Sequence, residues 1–214
     1  MQRFAILAAA VAAFLAGAAH AAPVTSLAGA TVYSFGNSNQ FTAGPVAVAA
    51  GINWSSDNLL PGNSRSVYGY TQIYGFVSNG AWSNLSMIGT NSQTATMRID
   101  FNSSVAGVGA FLNWARLDDG QPFGNPATIS IYDSANTLLE SFTLTFGPLG
   151  GINNGEFHGF LRNTADIASI RFSGSLIGAA NLEVLAGNSV PVPGTLALGA
   201  LGLLAMGALR RRKA

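Results

Sequence analysis

Hydrophobic and polar side chains alternate most regularly over residues 94–101. One face of an extended chain there would carry Ala95, Met97, Ile99 and Phe101. The opposite face would carry Thr94, Thr96, Arg98 and Asp100. Successive side chains of a strand point to opposite faces, so this pattern predicts a strand with one buried face.

Other short segments of strand-forming composition follow each other along the chain, separated by turn-forming residues such as Asn102-Ser103-Ser104. The predicted strands are 31–35, 66–77, 105–114, 128–132, 138–146, 156–161, 167–172 and 181–185. Many short strands with frequent turns predict an all-β fold, an antiparallel β-sandwich of jelly-roll type. The Gly-, Ser- and Asn-rich stretch 29–63 predicts a loop-rich edge of that domain.

The N-terminus has the order of a secretory signal peptide. Arg3 supplies a positive charge, residues 4–16 form an apolar run, and Ala19-His20-Ala21 places small residues at the recognition positions before a cut. We therefore expect an N-terminal signal helix over residues 1–21, cleavage after Ala21 and passage through the Sec export machinery.

The C-terminus combines a proline motif, an apolar run and a basic end. The uncharged run 194–209 is 16 residues long, which as a helix makes roughly 24 Å, shorter than a bilayer core of about 30 Å. It predicts a short C-terminal transmembrane helix, and an ordinary buried or tail-anchored C-terminal helix is the alternative. The basic block would stop transfer on the cytoplasmic side, and it consists of Arg210, Arg211, Arg212 and Lys213.

This three-part order resembles the PEP-CTERM sorting signal of exported Gram-negative proteins. The resemblance implies processing by exosortase, a membrane-embedded cysteine protease. The sorting motif would be Val190, Pro191, Val192, Pro193 and Gly194, with Val192 where the most common form has Glu. Segments 103–109, 129–133, 157–161 and 165–174 resemble, more loosely, the β-rich domain that often precedes this tail.

The expected organisation is a signal peptide at 1–21, an exported β-sandwich at 22–187 and a sorting tail at 188–214. The resemblance implies a protein anchored in the inner membrane through its C-terminal helix and then placed at the cell surface or in the extracellular matrix of a Gram-negative bacterium.

Removing the two ends changes the charge of the chain. Of ten basic residues, five arginines remain in the middle region against nine acidic residues, a net charge of −4. A nucleic-acid partner is therefore not expected, because no basic stripe exists to neutralise phosphates. The chain has no cysteine, so stability in an oxidising compartment must come from the core rather than from disulfides.

Aromatic residues suggest one binding surface. If residues 67–76 form one strand, alternation places Tyr68, Tyr70 and Tyr74 on a single face together with Gln72 and Phe76. Flat aromatic faces stack on sugar rings, and phenol and amide groups bond to hydroxyls, so this face is a candidate glycan platform. The tryptophans Trp54, Trp82 and Trp114 could join it. Ordinary cross-strand packing of tyrosines is the alternative explanation.

A second candidate site is the loop 116–125. Asp118, Asp119 and Asn125 offer the hard oxygen ligands that Ca²⁺ takes, although their spacing is not that of an EF-hand. A solvated turn with its corner at Asp119-Gly120 explains the same residues, so a structural calcium is the candidate cofactor and no other is expected.

Catalytic residues are not evident in the pattern. His158 is the only histidine left after signal removal, and it lies in a predicted strand without a nucleophile motif or metal-ligand spacing. Carboxylates such as Asp100, Asp133, Glu140 and Glu156 are scattered over strands and turns, and no pattern pairs two of them as a glycosidase needs. We do not expect an enzyme.

Two functions follow from these observations. The first is a non-catalytic structural protein of the surface or matrix, associated with exopolysaccharide after exosortase processing. The second is a carbohydrate-binding module that recognises a glycan through the aromatic sheet face.

Overall fold

The computed structural model describes residues 22–115, 126–144 and 150–187, and these residues form an all-β fold. The strands are β1 (Ala22–Val24), β2 (Thr31–Tyr33), β3 (Gln40–Phe41), β4 (Val46–Ala49), β5 (Ile52–Ser56), β6 (Val67–Tyr70), β7 (Tyr74–Gly75), β8 (Ala81–Trp82), β9 (Met87–Gly89), β10 (Thr96–Asn113), β11 (Thr128–Tyr132), β12 (Leu138–Thr143), β13 (Glu156–Leu161), β14 (Ile167–Ser173) and β15 (Gly178–Ala186). Short 3₁₀-helices occupy Gly62–Ser64 and Val77–Asn79. The predicted terminal helices, at 1–21 and in 188–214, lie outside the described residues.

Strand β10, 18 residues long, belongs to both layers of the fold. Its first half pairs with β5 and β14, and its second half pairs with β13 and β15. The first sheet has the order β4-β5-β10-β14-β11-β12, and the second contains β1, β13, β10, β15, β9, β6 and β3, with β2 also paired to β15. The named strands all pair antiparallel, as the sequence predicts. The jelly-roll order itself stays a prediction.

The larger of two hydrophobic clusters, the main core, fills the space that the two sheets enclose, as in a β-sandwich. Apolar inward side chains alternate with polar outward ones over residues 96–101 of β10, along β11 and over residues 170–173 of β14, which explains why these segments are predicted clearly as strands. The largest fully buried members of this core are Phe35, Trp54, Ile88, Met97, Ile99, Leu112, Ile129, Phe160 and Phe172.

One predicted turn is wrong. Residues 102–104 do not separate two strands, because β10 continues through them with a shift of register between Asp100 and Val105. The backbone N–H of Asn102 donates to the carbonyl of Gly51 at 2.9 Å, so the strand changes partners there rather than turning. The stretch 29–63 is also more regular than predicted, since it contains strands β2 to β5 and the buried Trp54.

The predicted strand 66–77 is interrupted. It forms β6, a break at residues 71–73, β7 and then a 3₁₀-helix. Gly69 has a positive φ of 58°, and the register of β6 against β9 shifts between Tyr68 and Tyr70. A left-handed residue inside the strand removes the regular alternation on which the prediction relied.

Replacing Gly69 with alanine is expected to destabilise the fold. An added Cβ would lie 2.6 Å from Ser38 Oγ and 2.9 Å from the Phe35 carbonyl oxygen, and the left-handed conformation alone costs an L-residue about 1–2 kcal/mol. We expect the free energy of unfolding to fall by at least that amount in urea titration. Gly75→Ala is the matched control, because no heavy atom lies within 4 Å of its added Cβ. Equal unfolding midpoints for both variants would contradict the prediction.

An ion pair joins the end of β13 to the start of β14. Arg162 is buried and donates from Nε to Asp166 Oδ1 at 2.5 Å and from a terminal nitrogen to Oδ2 at 2.7 Å. Burial by itself would raise the pKa of the Asp166 carboxyl, but the hydrogen bonds and charge of Arg162 outweigh it and hold that pKa below its usual value.

This ion pair is expected to make the free energy of unfolding depend on pH. The pKa of Asp166 in the folded protein lies below its unfolded value of about 3.9. The stabilisation by the ion pair is therefore complete above about pH 3.9 and is lost as the pH falls through the folded pKa. Asp166→Asn leaves Arg162 without its charge partner and should lower the free energy of unfolding by about 2 kcal/mol at pH 7, less than for a fully buried pair because the carboxylate is partly exposed. Urea unfolding at pH 7 and pH 3 measures both effects, and an unchanged difference between wild type and variant at the two pH values would contradict them.

Candidate functional site

The three tyrosines of the predicted platform do not share an exposed face. Tyr68 is 5% exposed and packs in the main core against Trp54, with ring centroids 5.3 Å apart. Its hydroxyl donates to the Ala47 carbonyl at 3.2 Å, and burial raises its pKa. Tyr70 and Tyr74 belong to a second cluster instead. The left-handed Gly69 between Tyr68 and Tyr70, with the register shift there, separates these two side chains, and the break at residues 71–73 precedes Tyr74.

Aromatic rings of this second cluster form a continuous row from the surface into the protein. Consecutive ring centroids lie 5.7, 6.3, 5.1, 5.0 and 5.6 Å apart along Phe41, Tyr70, Tyr74, Phe76, Trp82 and Phe111. Most contacts are edge-to-face or tilted, the arrangements that the ring quadrupoles favour. Phe76 and Trp82 are fully buried, whereas Phe41 at the other end is 36% exposed. The row therefore connects the partly exposed pair Phe41 and Tyr70 to the buried rings of Phe76 and Trp82.

A cleft of about 350 Å³ opens where this row reaches the surface, within the size range of small-ligand sites. It lies beside β3 and β6, at one end of the second sheet. Ile73, which is 73% exposed, is among the residues around it. We call this the aromatic cleft, and its lining residues are Phe41, Asn63, Val67, Tyr70, Ile73, Tyr74, Gly75, Asn91 and Leu176.

Hydrogen bonds hold the buried side of the aromatic cleft in place. The Asn91 backbone N–H donates to the Tyr74 hydroxyl at 2.9 Å, and the Asn91 side-chain amide donates to the carbonyls of Arg65, at 3.3 Å, and Asn63. Burial raises the pKa of Tyr74 far above its usual range, so its phenol stays neutral. Tyr74 thus forms a fixed floor, and the accessible ring surface comes from Tyr70 and Phe41.

The tryptophans do not join a surface platform. Trp54 and Trp82 are fully buried, and Trp114 is 3% exposed. Trp82 stacks on Phe111 and donates its indole N–H to the Asn154 carbonyl at 2.5 Å. Trp82 therefore supports the cleft from within, whereas Trp54 and Trp114 belong to the main core.

The proposed calcium loop lies outside the described residues, since Asp118, Asp119 and Asn125 fall within 116–125. Within the described ranges, no group of three or more His, Cys, Asp or Glu side chains is placed to hold a metal ion. The loop therefore stays a prediction.

His158 and the carboxylates considered for catalysis have local structural contacts. His158 Nε2 lies 3.2 Å from Glu156 Oε2, and its ring packs between Trp114 and Phe142. Asp133 accepts hydrogen bonds from the backbone N–H groups of the turn that follows it. Each of these contacts stabilises a strand or turn.

Comparison with known protein families identifies the tail. Residues 189–213 match the family described as the PEP-CTERM protein-sorting motif. The chain therefore carries a PEP-CTERM sorting signal, as its sequence predicts, and is an exported, surface-directed protein. The sorting-motif residues 190–194 and the basic block 210–213 lie outside the described residues. No helix within the described part has the length and apolar character needed to cross a membrane.

No curated protein matches the chain. Among solved structures, the K2 cleaved adhesin domain of Lys-gingipain aligns with 10% identity over 72% of this chain and 98% of its own, with a TM-score of 0.43. The family 32 carbohydrate-binding module of Clostridium perfringens NanJ, in complex with galactose, aligns with 11% identity over the same shares and a TM-score of 0.36. A fucose-binding module of Streptococcus pneumoniae, SpX-3, aligns with 15% identity over 48% of this chain and 73% of its own, with a TM-score of 0.30. Likeness at this level carries no information about function.

Proposed function

We propose that this protein is a non-catalytic surface or matrix component, associated with exopolysaccharide after its tail is processed by exosortase. The observation that carries the proposal is the PEP-CTERM sorting motif at residues 189–213. Before processing, the protein is held in the inner membrane by its C-terminal segment, with the β-domain outside. After processing, it resides at the surface or in the extracellular matrix.

The geometry of the chain ends supports this arrangement. Strand β1 begins at Ala22, which pairs with Leu161, while β15 ends opposite Val105. Gly187 lies so close to Ala165 that an added Cβ would stand 2.1 Å from the Ala165 Cβ. The described ends of the domain, residues 22 and 187, therefore lie near one another, at what we call the terminal pole. Both ends of the domain can therefore face the same membrane during export while the strands stay paired.

The aromatic cleft lies away from this pole. Leu176 lines the cleft and precedes β15, whereas Gly187 follows the same strand. Nine residues of extended strand span roughly 30 Å. A protein held by its tail would thus present the cleft outward.

Deleting residues 194–214 is expected to convert a membrane-associated protein into one released in soluble form, because the apolar segment and its basic stop are lost. Fractionation of producing cells, with intact-mass and C-terminal peptide analysis of the membrane, surface and medium fractions, measures this. The full-length protein is the control, and in surface and medium fractions it should begin near Ala22 and end near residues 191–195. A full-length chain that keeps its tail in every fraction would contradict processing, and equal solubility with and without the tail would contradict anchoring.

The second candidate function is glycan binding, and the aromatic cleft is the observation that favours it. The ring pair of Phe41 and Tyr70, 5.7 Å apart and edge-to-face, offers apolar ring surface beside the amides of Asn63 and Asn91. Such surfaces stack on the C–H faces of sugars while polar groups take their hydroxyls. Tyr70 and Tyr74 of the predicted platform remain part of this site, and Phe41 replaces Tyr68.

Glycan-array binding by the full chain in mild detergent tests this second function. Tyr70→Ala is expected to weaken binding about tenfold, which corresponds to about 1.4 kcal/mol, while Tyr70→Phe keeps the ring and should retain most of it. Val32→Ala, an exposed position on β2, is the matched control. No binding to any glycan by a well-folded chain, or equal losses in Tyr70→Ala and Val32→Ala, would reject the aromatic cleft as a sugar site.

A further inference from the structure

Two arginines from distant parts of the chain meet on the outer face of the first sheet. The antiparallel register of β10 and β14 places Arg98 directly opposite Arg171. Like charges directly opposite on neighbouring strands are destabilising. Basic residues are also few in this domain, since only five arginines and no lysine lie between residues 22 and 187. Two of these five arginines are thus adjacent, which makes the pair a candidate site for a negatively charged ligand.

Neighbouring groups fix both guanidinium groups at this face. Arg98 Nε donates to Asp100 Oδ1 at 2.6 Å, and this ion pair is partly exposed. The Arg171 guanidinium carbon lies 3.8 Å from the centroid of the Tyr132 ring, a cation–π contact, and a terminal nitrogen donates to Asn136 Oδ1. Arg171 Nε is buried and has no acceptor among the described residues. Arg171 is thus held in place by neutral groups, and its positive charge is not matched by a contacting carboxylate there.

A polar cleft of about 350 Å³ includes both arginines. The hydroxyl-bearing residues Ser55, Ser56 and Thr96 line it as well. Asp57 is the acidic member of the lining, and its Oδ1 already accepts the Thr96 backbone N–H at 2.7 Å. Asp100, just outside the lining, pairs with Arg98, so Arg171 is the arginine of this cleft whose charge has no contacting carboxylate among the described residues.

Hydroxyl groups extend the site in a line across the sheet. Strand pairing aligns Ser55, Arg98, Arg171, Ser130 and Ser141 in one row over β5, β10, β14, β11 and β12. Four strand spacings of about 4.8 Å make this row roughly 19 Å long. A parallel row beside it consists of Thr96, Ser173, Thr128 and Thr143. A linear array of hydroxyls with two arginines inside it fits an extended polymer better than a single small ion.

We propose that this face binds an acidic polysaccharide through carboxylates on its sugar units. Guanidinium groups form paired, charge-assisted hydrogen bonds with carboxylates, and a bound carboxylate offsets the repulsion between Arg98 and Arg171. The serine and threonine hydroxyls take the sugar hydroxyls on either side. The inference rests on the proposed association with exopolysaccharide for its biological setting, but the site is separate from the aromatic cleft.

Binding of the full chain, kept in mild detergent, to polygalacturonate and to neutral dextran tests the site by calorimetry. We expect binding to polygalacturonate that weakens as salt is added, because exposed charges are screened, and at least tenfold weaker binding to dextran. Arg171→Gln and Arg98→Gln should each weaken polygalacturonate binding at least tenfold. Arg65→Gln is the control, since Arg65 lies beside the aromatic cleft region and does not line the polar cleft. Arg171→Lys keeps the charge without the paired geometry and should fall between wild type and Arg171→Gln.

Several outcomes would contradict the proposal that this face binds an acidic polysaccharide. Equal affinity for dextran and polygalacturonate, or an equal loss in Arg65→Gln, would show that the arginine pair does not select the polymer. A loss in Tyr70→Ala but not in Arg171→Gln would move binding to the aromatic cleft. Thermal unfolding of each variant separates loss of binding from loss of folding. If the protein is sorted normally in cells but does not bind polygalacturonate, this site is rejected and the proposed function is unaffected. If the protein binds polygalacturonate but is never processed or released, the proposed function is rejected and this site is unaffected.

Discussion

The hydrogen bonding of strand β10 is the constraint on which the rest of the structure depends. Four strands pair with its 18 residues, two along the first half and two along the second. The register shift between Asp100 and Val105 lets the strand leave one sheet and enter the other without a loop. Both layers are therefore built on a single segment, and the core between them is closed by inward residues of that same strand.

This shared strand also separates the two candidate surfaces. The outward side of its first half carries Arg98, in one row with Arg171 of β14 and with hydroxyl groups from the three strands β5, β11 and β12. Its second half supports β15 and, through it, β9 and β6, whose end holds the aromatic cleft. One surface offers charge and hydroxyls and the other offers ring faces, so they suit different features of a polysaccharide.

The position of the chain ends connects the fold to export. Because Ala22 pairs with β13 and Gly187 lies against Ala165, the two described ends of the domain, residues 22 and 187, lie at the same pole. Removal of either end leaves the described strands with their partners. The PEP-CTERM sorting motif at residues 189–213 begins two residues after Gly187, next to this pole along the chain.

The sequence by itself determined the sorting motif, the all-β class and several strands, because these depend on local order and period. Strands β11 and β13 match their predicted bounds, since turn-forming residues flank both and apolar and polar residues alternate along β11. Other features were decided only by tertiary structure. A positive φ at Gly69 sent Tyr68 into the core and Tyr70 to the cleft, and the pairing of β10 with β14 brought Arg98 to Arg171. Alternation states which residues share a face of one strand, but it contains no information about which strand becomes the neighbour.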